Sequence, residues 1–364
     1  MFCKLWLLIC VACVNKKFGM KLLSGRREIT VGLTPHRLEF LPTTKKLLWK
    51  HDIIVLEEPP DPLFQEMLTG RIPLDSYVEE TEAGFPEYEK EFCKELRKLH
   101  QAGRKICQIE PYLERWVLIR SLLDEGVPPS RVKACPELSQ VYEMEHETFG
   151  KLLDYYAAMQ GSFEDLVEKI KIFARSDARR ILLRDKMRAR EIVSLTKNYP
   201  GGAKIYVEAG YIHIKLLYFL ACKARGKFRL KAENLLLQAL SASGFQGVLP
   251  SPGDGLTSYY LFGGKHRDIT EDLLAARSII YIKLIDKDEL KPTSQDPFPH
   301  LRNEVFWRLF VWELSYEDCK RLDSLIRLLP TLKAREVARK VFKEAYQKAS
   351  KKFKNLRFDR VARL

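Results

Sequence analysis

Four short apolar runs in this chain each finish on an ionisable side chain or deliver one within a few residues. Residues 28–33 (EITVGL) lead to His36, and residues 53–56 (IIVL) end against Glu57 and Glu58. Residues 105–109 (KICQI) end on Glu110, and residues 204–207 (KIYV) lead through Glu208 to His213. Runs this short and apolar, bounded by turn formers, read as buried strands. The stretches between them carry helical spacing instead. Residues 38–50 are long enough for a crossover helix with Pro42 near its start. Pro59, Pro60 and Pro62 stop the second strand, and residues 86–100 read as a charged helix with Phe92, Leu96 and Leu99 on one side, closed by Gly103. A largely helical stretch from about 112 to 199 precedes the fourth strand and ends at Pro200, Gly201 and Gly202.

Strands alternating with helical excursions predict an α/β fold, a mostly parallel central sheet with long helical insertions. In such a sheet the carboxyl ends of the strands line one edge, so His36, Glu57, Glu58, Glu110, Glu208 and His213 are expected along one crevice.

Within the helical stretch, residues 176–196 have a cap candidate at Ser176 or Asp177. At about 100° per residue, Asp185 falls among Ile181, Ala189 and Ile192 on the apolar face, with Arg184 at its margin. A carboxylate there needs a partner. Two readings stand: Arg184 reaches toward a substrate or a strand-end glutamate, or Asp185 and an arginine form a structural ion pair.

The last third is less regular. Residues 235–240 are helical in character, and residues 244–255 with Gly263 and Gly264 are turn-rich. The segment 250–255 (PSPGDG) lacks the lysine and hydroxyl residue of a phosphate loop and reads as a lid or surface loop. Thr270 opens a capping box for a run to residue 287 that changes from helix to strand near Ser278. His266, between Lys265 and Arg267, reads as solvated or as part of a basic rim.

Composition narrows the class. The 364 residues are 46% hydrophobic and 30% charged, enough for a real core in one large or two modest domains. The divisions expected are a leader or misannotated start over 1–19, an α/β domain over 20–320 with its helical insertion at about 112–199, and a basic helical segment over 321–364. The eight cysteines are scattered along the chain, and Cys93, Cys107 and Cys222, inside apolar periodicity, read as free buried thiols.

The run LWLLICVACV at 5–14 is too short to cross a bilayer. It is either a discarded leader, with the biological start at Met20, or a processed or anchoring segment, through which alone membrane association is expected; the expected location is the cytoplasm. Lysine and arginine number 62 against 48 acids, a net charge of +14 concentrated after residue 330. There Val337, Val341, Phe342 and Tyr346 would form the apolar stripe of a docked C-terminal helix. A nucleic-acid or anionic-surface arm is the alternative, but no zinc finger, nucleotide loop or RNA-stacking motif accompanies it.

Residues 31–36, the pair Glu57–Glu58 after a strand, the helical segment 184–187 (RDKM) and residues 210–213 (GYIH) after another strand together resemble the TraB/TIKI, erythromycin-esterase and ChaN-like superfamily. The resemblance spans roughly residues 28–220. It implies an α/β scaffold whose cleft holds two histidine motifs, a glutamate pair and an arginine, in members that include proposed metal-dependent peptidases, an esterase and haem-binding proteins. His213 matches the second Gly-x-x-His motif. His36 departs from the first, because Gly32 stands one place too far upstream and Pro35 precedes the histidine. Glu57 and Glu58 match the acidic pair and Arg184 the helix arginine, while Asp185 and Glu208 replace smaller residues.

These residue types suit metal-assisted hydrolysis. His36 and His213, joined by Glu57 or Glu58, would supply nitrogen and oxygen ligands to a divalent ion, with Glu57 the expected carboxylate ligand. The remaining glutamate would take a proton from water, Arg184 would stabilise developing negative charge, and Glu110 would orient a histidine or share the metal. The expected substrate is a peptide or a small molecule with an ester or related bond. Haem or small-ligand binding without turnover, and a catalytically decayed regulatory protein, are the alternatives.

Overall fold

The structure is a computed structural model and describes residues 26–81, 84–224, 226–264 and 270–362. Five strands form one parallel sheet: β1 (Arg27–Thr34), β2 (Ile53–Leu56), β3 (Lys105–Gln108), β4 (Lys204–Gly210) and β5 (Phe228–Asn234), in the order β3-β2-β4-β1-β5. The four expected strands are present. β5 went unseen because FRLKAEN alternates with charged residues at the sheet edge and lacks an apolar run. The chain thus has the α/β architecture and parallel sheet that its alternating pattern predicts.

The helices used below are α1 (Leu41–Leu48), α2 (Pro86–Gln101), α3 (Pro111–Asp124), α4 (Pro136–Ala158), α5 (Phe163–Thr196), α6 (Ile214–Ala224), α7 (Pro252–Leu261), α8 (Glu271–Leu284), α9 (Pro299–Trp312), α10 (Tyr316–Ile326), α11 (Thr331–Val341) and α12 (Lys343–Lys354). Contacts divide the chain into two compact units. One comprises residues 26–141 with 183–240, and contains the sheet. The other comprises 142–182 with 241–362.

In the sheet unit, strand alternation sorts the core into two layers. Ile29, Val31 and Leu33, Ile53 and Val55, and Ile205, Val207 and Ala209 pack with Ala189 and Ile192 of α5 and Leu216, Leu217 and Leu220 of α6. Ile54, Leu56 and Tyr206 face the other way, onto Leu41 and Leu48 of α1 and Phe92, Leu96 and Leu99 of α2. Gly103, with φ of +80°, ends the α2 turn as its sequence position predicts.

Gly32 is required by packing. The Tyr206 phenol lies across it, so a Cβ there would overlap the ring and hydroxyl. Because Tyr206 is fully buried, it has no room to retreat. Gly32→Ala is therefore expected to cost about 1–3 kcal/mol by overpacking. Combined with Tyr206→Leu, the loss should be smaller than the sum of the single losses by urea denaturation; strict additivity would refute the contact.

The second unit is helical. Phe306, Trp307 and Phe310 of α9 meet Tyr346 of α12 edge-on or tilted, at centroid separations of 5.2–6.3 Å. That contact docks the basic C-terminal segment, whose expected apolar stripe is divided between α11 and α12 by a break at Phe342 with φ −109° and ψ 49°. Three other local expectations change. Ser251 caps α7 through the Asp254 amide, so the PSPGDG segment opens a helix instead of forming a lid. Thr270 does cap α8, which continues past Ser278 without turning into a strand. Ser176 lies inside α5, where its hydroxyl meets that of Thr148, so neither it nor Asp177 is a cap. Cys93 is buried as expected, Cys107 is half-buried and Cys222 is exposed, the last because it lies on the outer side of α6. Among the described residues no helix is long and apolar enough to cross a membrane. Residues 1–25 and His266 lie outside the described residues.

Candidate functional site

Connections leaving β2 run toward β3 and those leaving β4 run toward β5, so the chain diverges where the carboxyl ends of these neighbours meet. Crevices open at such points in parallel sheets. Here side chains extend the β2–β4 pairing beyond its last backbone rung, Val55–Val207. The Gly210 amide donates to Glu57 Oε2 at 2.6 Å, and the Glu57 amide donates to Glu208 Oε2 at 3.3 Å.

Consecutive residues at a strand end point to opposite faces. Glu57 therefore turns toward α5 and Glu58 toward α2, which makes two polar clusters at one edge. In the α5 cluster, His213 lies between two carboxylates: Nε2 is 2.8 Å from Glu57 Oε1 and Nδ1 is 2.5 Å from Asp185 Oδ1. The Gly-x-x-His spacing has a local cause, since the His213 amide donates to the Gly210 carbonyl at 3.0 Å and the turn swings the ring back over the strand end. Arg184 Nη2 lies 3.3 Å from Glu57 Oε1 and 3.5 Å from Glu110 Oε2. Arg188, one helical turn further along α5, donates from Nε to the Ile109 carbonyl at 2.9 Å, and its Nη1 lies 3.8 Å from Glu57 Oε2.

Burial alone would raise the Glu57 pKa, but His213, Arg188 and Arg184 outweigh it and hold the carboxyl well below its usual range. Burial likewise would lower His213, whereas Glu57 and Asp185 push it up to about 9. At neutral pH the imidazole is thus a cation donating from both nitrogens.

The α2 cluster has the opposite character. Burial raises the Glu58 carboxyl to about 8, with Glu89 and Glu208 adding repulsion, while the Gln108 amide at 3.0 Å partly opposes it. Glu208 is also raised to about 8, by burial and then by Glu57. Burial raises Glu89, which lies on α2. His36 Nε2 lies 3.5 Å from Glu208 Oε1, and its ring stacks on Tyr88 at 5.9 Å. The ring is 39% exposed, yet Nε2 itself is buried, and burial lowers the His36 pKa.

The structure thus brings His213, Glu57, Arg184 and Glu110 together, and places His36 and Glu58 beside Glu208 in the adjoining cluster. Of the two readings for α5, Arg184 does reach strand-end glutamates. Asp185 is paired with His213 rather than with an arginine alone. Arg188 and Glu89 were missed. Arg188 follows Arg184 at i+4, so the apolar stripe of α5 carries three charged residues together, a pattern that marks a buried polar site. Glu89 had no such signal, because one more acid on a charged helix is ordinary.

For a divalent ion the donor chemistry fits in part. His213 faces one carboxylate and is backed by another, the arrangement that commonly orients a ligating imidazole. Among the described residues, however, no three His, Cys, Asp or Glu side chains form a metal-holding group, and His36 turns to Glu208.

No family model matches the chain, and no solved structure matches it. It is 31% identical over 290 residues to an uncharacterized protein of Archaeoglobus fulgidus (strain ATCC 49558 / DSM 4304 / JCM 9628 / NBRC 100126 / VC-16), an alignment covering 79% of this chain and 95% of that protein. At that identity and coverage, the chain belongs to the same family as this archaeal protein.

Proposed function

We propose that the chain is a hydrolase of a peptide, ester or related bond, related to the TraB/TIKI, erythromycin-esterase and ChaN-like superfamily, with its site at the carboxyl edge of the sheet. The observation that carries this reading is the buried line Asp185–His213–Glu57 flanked by Arg184 and Arg188. Asp185 fixes the ring of His213, and Arg184 places positive charge where an oxyanion would develop. Glu58 has a carboxyl raised to about 8, within reach of neutral pH, and suits proton transfer in a way that the strongly acidic Glu57 does not.

Were a divalent ion held here, His213 would have to release a proton to ligate it beside Glu57, and the ion would polarise the scissile carbonyl or phosphoryl oxygen. Charged groups on both sides of His213 favour this chemistry over haem, whose macrocycle needs apolar faces. The cytoplasm is the proposed location, and a peptide or small molecule the proposed substrate.

The test is a panel of fluorogenic peptides and esters assayed with Zn, Mn, Mg and Co, alongside elemental analysis of the purified chain. Turnover is expected to fall by about 10²–10⁴-fold in His213→Ala, the usual range for a lost acid–base group, with bound metal reduced in step. Equal turnover and equal metal in His213→Ala and the wild type, or no turnover across the whole panel, would overturn the assignment.

A further inference from the structure

The turn from α10 to α11 raises a ridge of leucines into water. Leu325 on the last turn of α10 is 43% exposed, Leu328 in the connection is 94% exposed, and Leu332 at the start of α11 is 70% exposed. The base beneath them is ordered. Arg327 donates from Nε to Asp323 Oδ2 at 2.8 Å and from Nη1 to the carbonyls of Met159 and Gly161 at 3.1 and 2.7 Å, and the Leu329 amide donates to the Ile326 carbonyl at 2.9 Å. Leu328 is therefore held outward by its own turn, and neighbouring exposed leucines on a fixed base mark an association site.

The charge left over beside the ridge is positive. On α11, Ala334 and Ala338 face inward, which turns Leu332, Arg339 and Lys340 outward, and Leu332 and Arg339 share one stripe because seven residues make about two turns. The side of α12 opposite the buried Ala349 carries Lys343, Lys351 and Lys354. The acids on these outer sides, Glu336 and Glu344, are already paired, with Lys333 at 3.6 Å and Lys348 at 2.9 Å. Among the described residues, Arg339, Lys340, Lys343, Lys351 and Lys354 stand outside every ion pair, so their charge is uncompensated.

The combination of leucine and lysine selects the occupant. Protein interfaces are enriched in aromatic residues and depleted in lysine, and single-stranded nucleic acid stacks on exposed rings. Among the described residues from 282 onward, the large exposed apolar side chains are all aliphatic. The phosphates of a duplex would meet the lysines and leave the leucines in water. An anionic bilayer satisfies both, because its acyl boundary takes leucine and its headgroups take lysine and arginine.

We infer that this surface attaches the chain peripherally to an anionic lipid membrane, with Leu328 and Leu332 entering the interface and Arg339, Lys340 and Lys343 meeting the headgroups.

Flotation of the full chain should show binding to vesicles of mixed phosphatidylglycerol and phosphatidylcholine that weakens as salt is raised, with binding at least about tenfold weaker to phosphatidylcholine alone. Leu328→Glu combined with Leu332→Glu should weaken binding to the anionic vesicles by about tenfold or more. Arg339→Glu combined with Lys340→Glu should do so by a similar factor, about tenfold. Thermal melting should be retained in both pairs, because all four side chains are already exposed. No binding to the anionic vesicles, or binding that survives both pairs and so runs through another part of the chain, would overturn the proposal. Binding unchanged by the leucine pair, with the basic pair abolishing it together with binding to duplex DNA, would assign the surface to nucleic acid instead.

Discussion

Glu57→Ala is expected to lower folding stability by about 3–5 kcal/mol, the usual cost of removing one partner from a buried ion pair. Glu57 is the shared anion of its cluster, meeting His213, Arg184 and Arg188 and accepting the Gly210 amide. Without it, the buried cations depend on Glu110 and Asp185, and one backbone donor loses its partner. Glu57→Gln should cost less, because an amide oxygen still accepts from Gly210 while only the charge is lost. In both variants the imidazole of His213 should titrate below the value of about 9 that Glu57 helps to set. Urea denaturation and imidazole NMR titration read the two effects separately. Unchanged stability and an unchanged His213 titration in Glu57→Ala would mean that the cluster does not exist as described. This prediction also shapes tests of function: lost activity in Glu57→Ala or in His213→Ala is informative only when folding has been checked, because His213→Ala likewise leaves Asp185 without its partner.

Alkaline pH is expected to destabilise the protein before it affects most exposed groups. His213 is raised to about 9, and Glu58 and Glu208 to about 8. Each keeps a proton in the folded chain that the unfolded chain releases at lower pH. Their stabilising contributions are complete below the unfolded-state values of about 4.5 for the carboxyls and 6.5 for the imidazole, and are lost as pH rises through about 8 and 9. Glu57 runs the other way: its contribution is present above the ordinary carboxyl range and is lost only as pH falls through its lowered value. At about 1.36 kcal/mol per unit of pKa difference, the raised groups together amount to a few kcal/mol or more. Denaturation curves from pH 5 to 10 should therefore show stability declining toward the alkaline side, most steeply between about 6.5 and 8, where all three groups contribute, and more gently to about 9, where His213 alone does. Glu208→Gln should flatten part of that decline while leaving the share due to His213. A flat profile across this range would contradict the buried, protonated α2 cluster.

Much of the fold was legible in the chain itself. IIVL, KICQI, EITVGL and KIYV are short apolar runs closed by turn formers, and burial on both faces of a parallel sheet demands that composition. The helices between them follow from the 3.6-residue spacing of Phe92, Leu96 and Leu99, and Gly103 stops its helix because only glycine takes that backbone conformation freely. β5 escaped because an edge strand buries less and alternates with charges. The change to strand expected near Ser278 failed because the α8 run is apolar nearly all round, and in a fully buried helix periodicity loses its power to discriminate.

The sequence also determined that acids and histidines would gather at one edge, since parallel strands present all their carboxyl ends together. It could not determine how they would be shared. That was decided in three dimensions by strand alternation, which sends Glu57 and Glu58 to opposite faces, and by the passage of α5 across one of those faces with Arg184, Asp185 and Arg188 aimed at the strand ends. Whether a buried carboxyl ends acidic like Glu57 or protonated like Glu58 depends on which charges lie within a few ångströms of it. Those neighbours lie more than a hundred residues away for Glu57 and Arg184, and only folding brings them into contact.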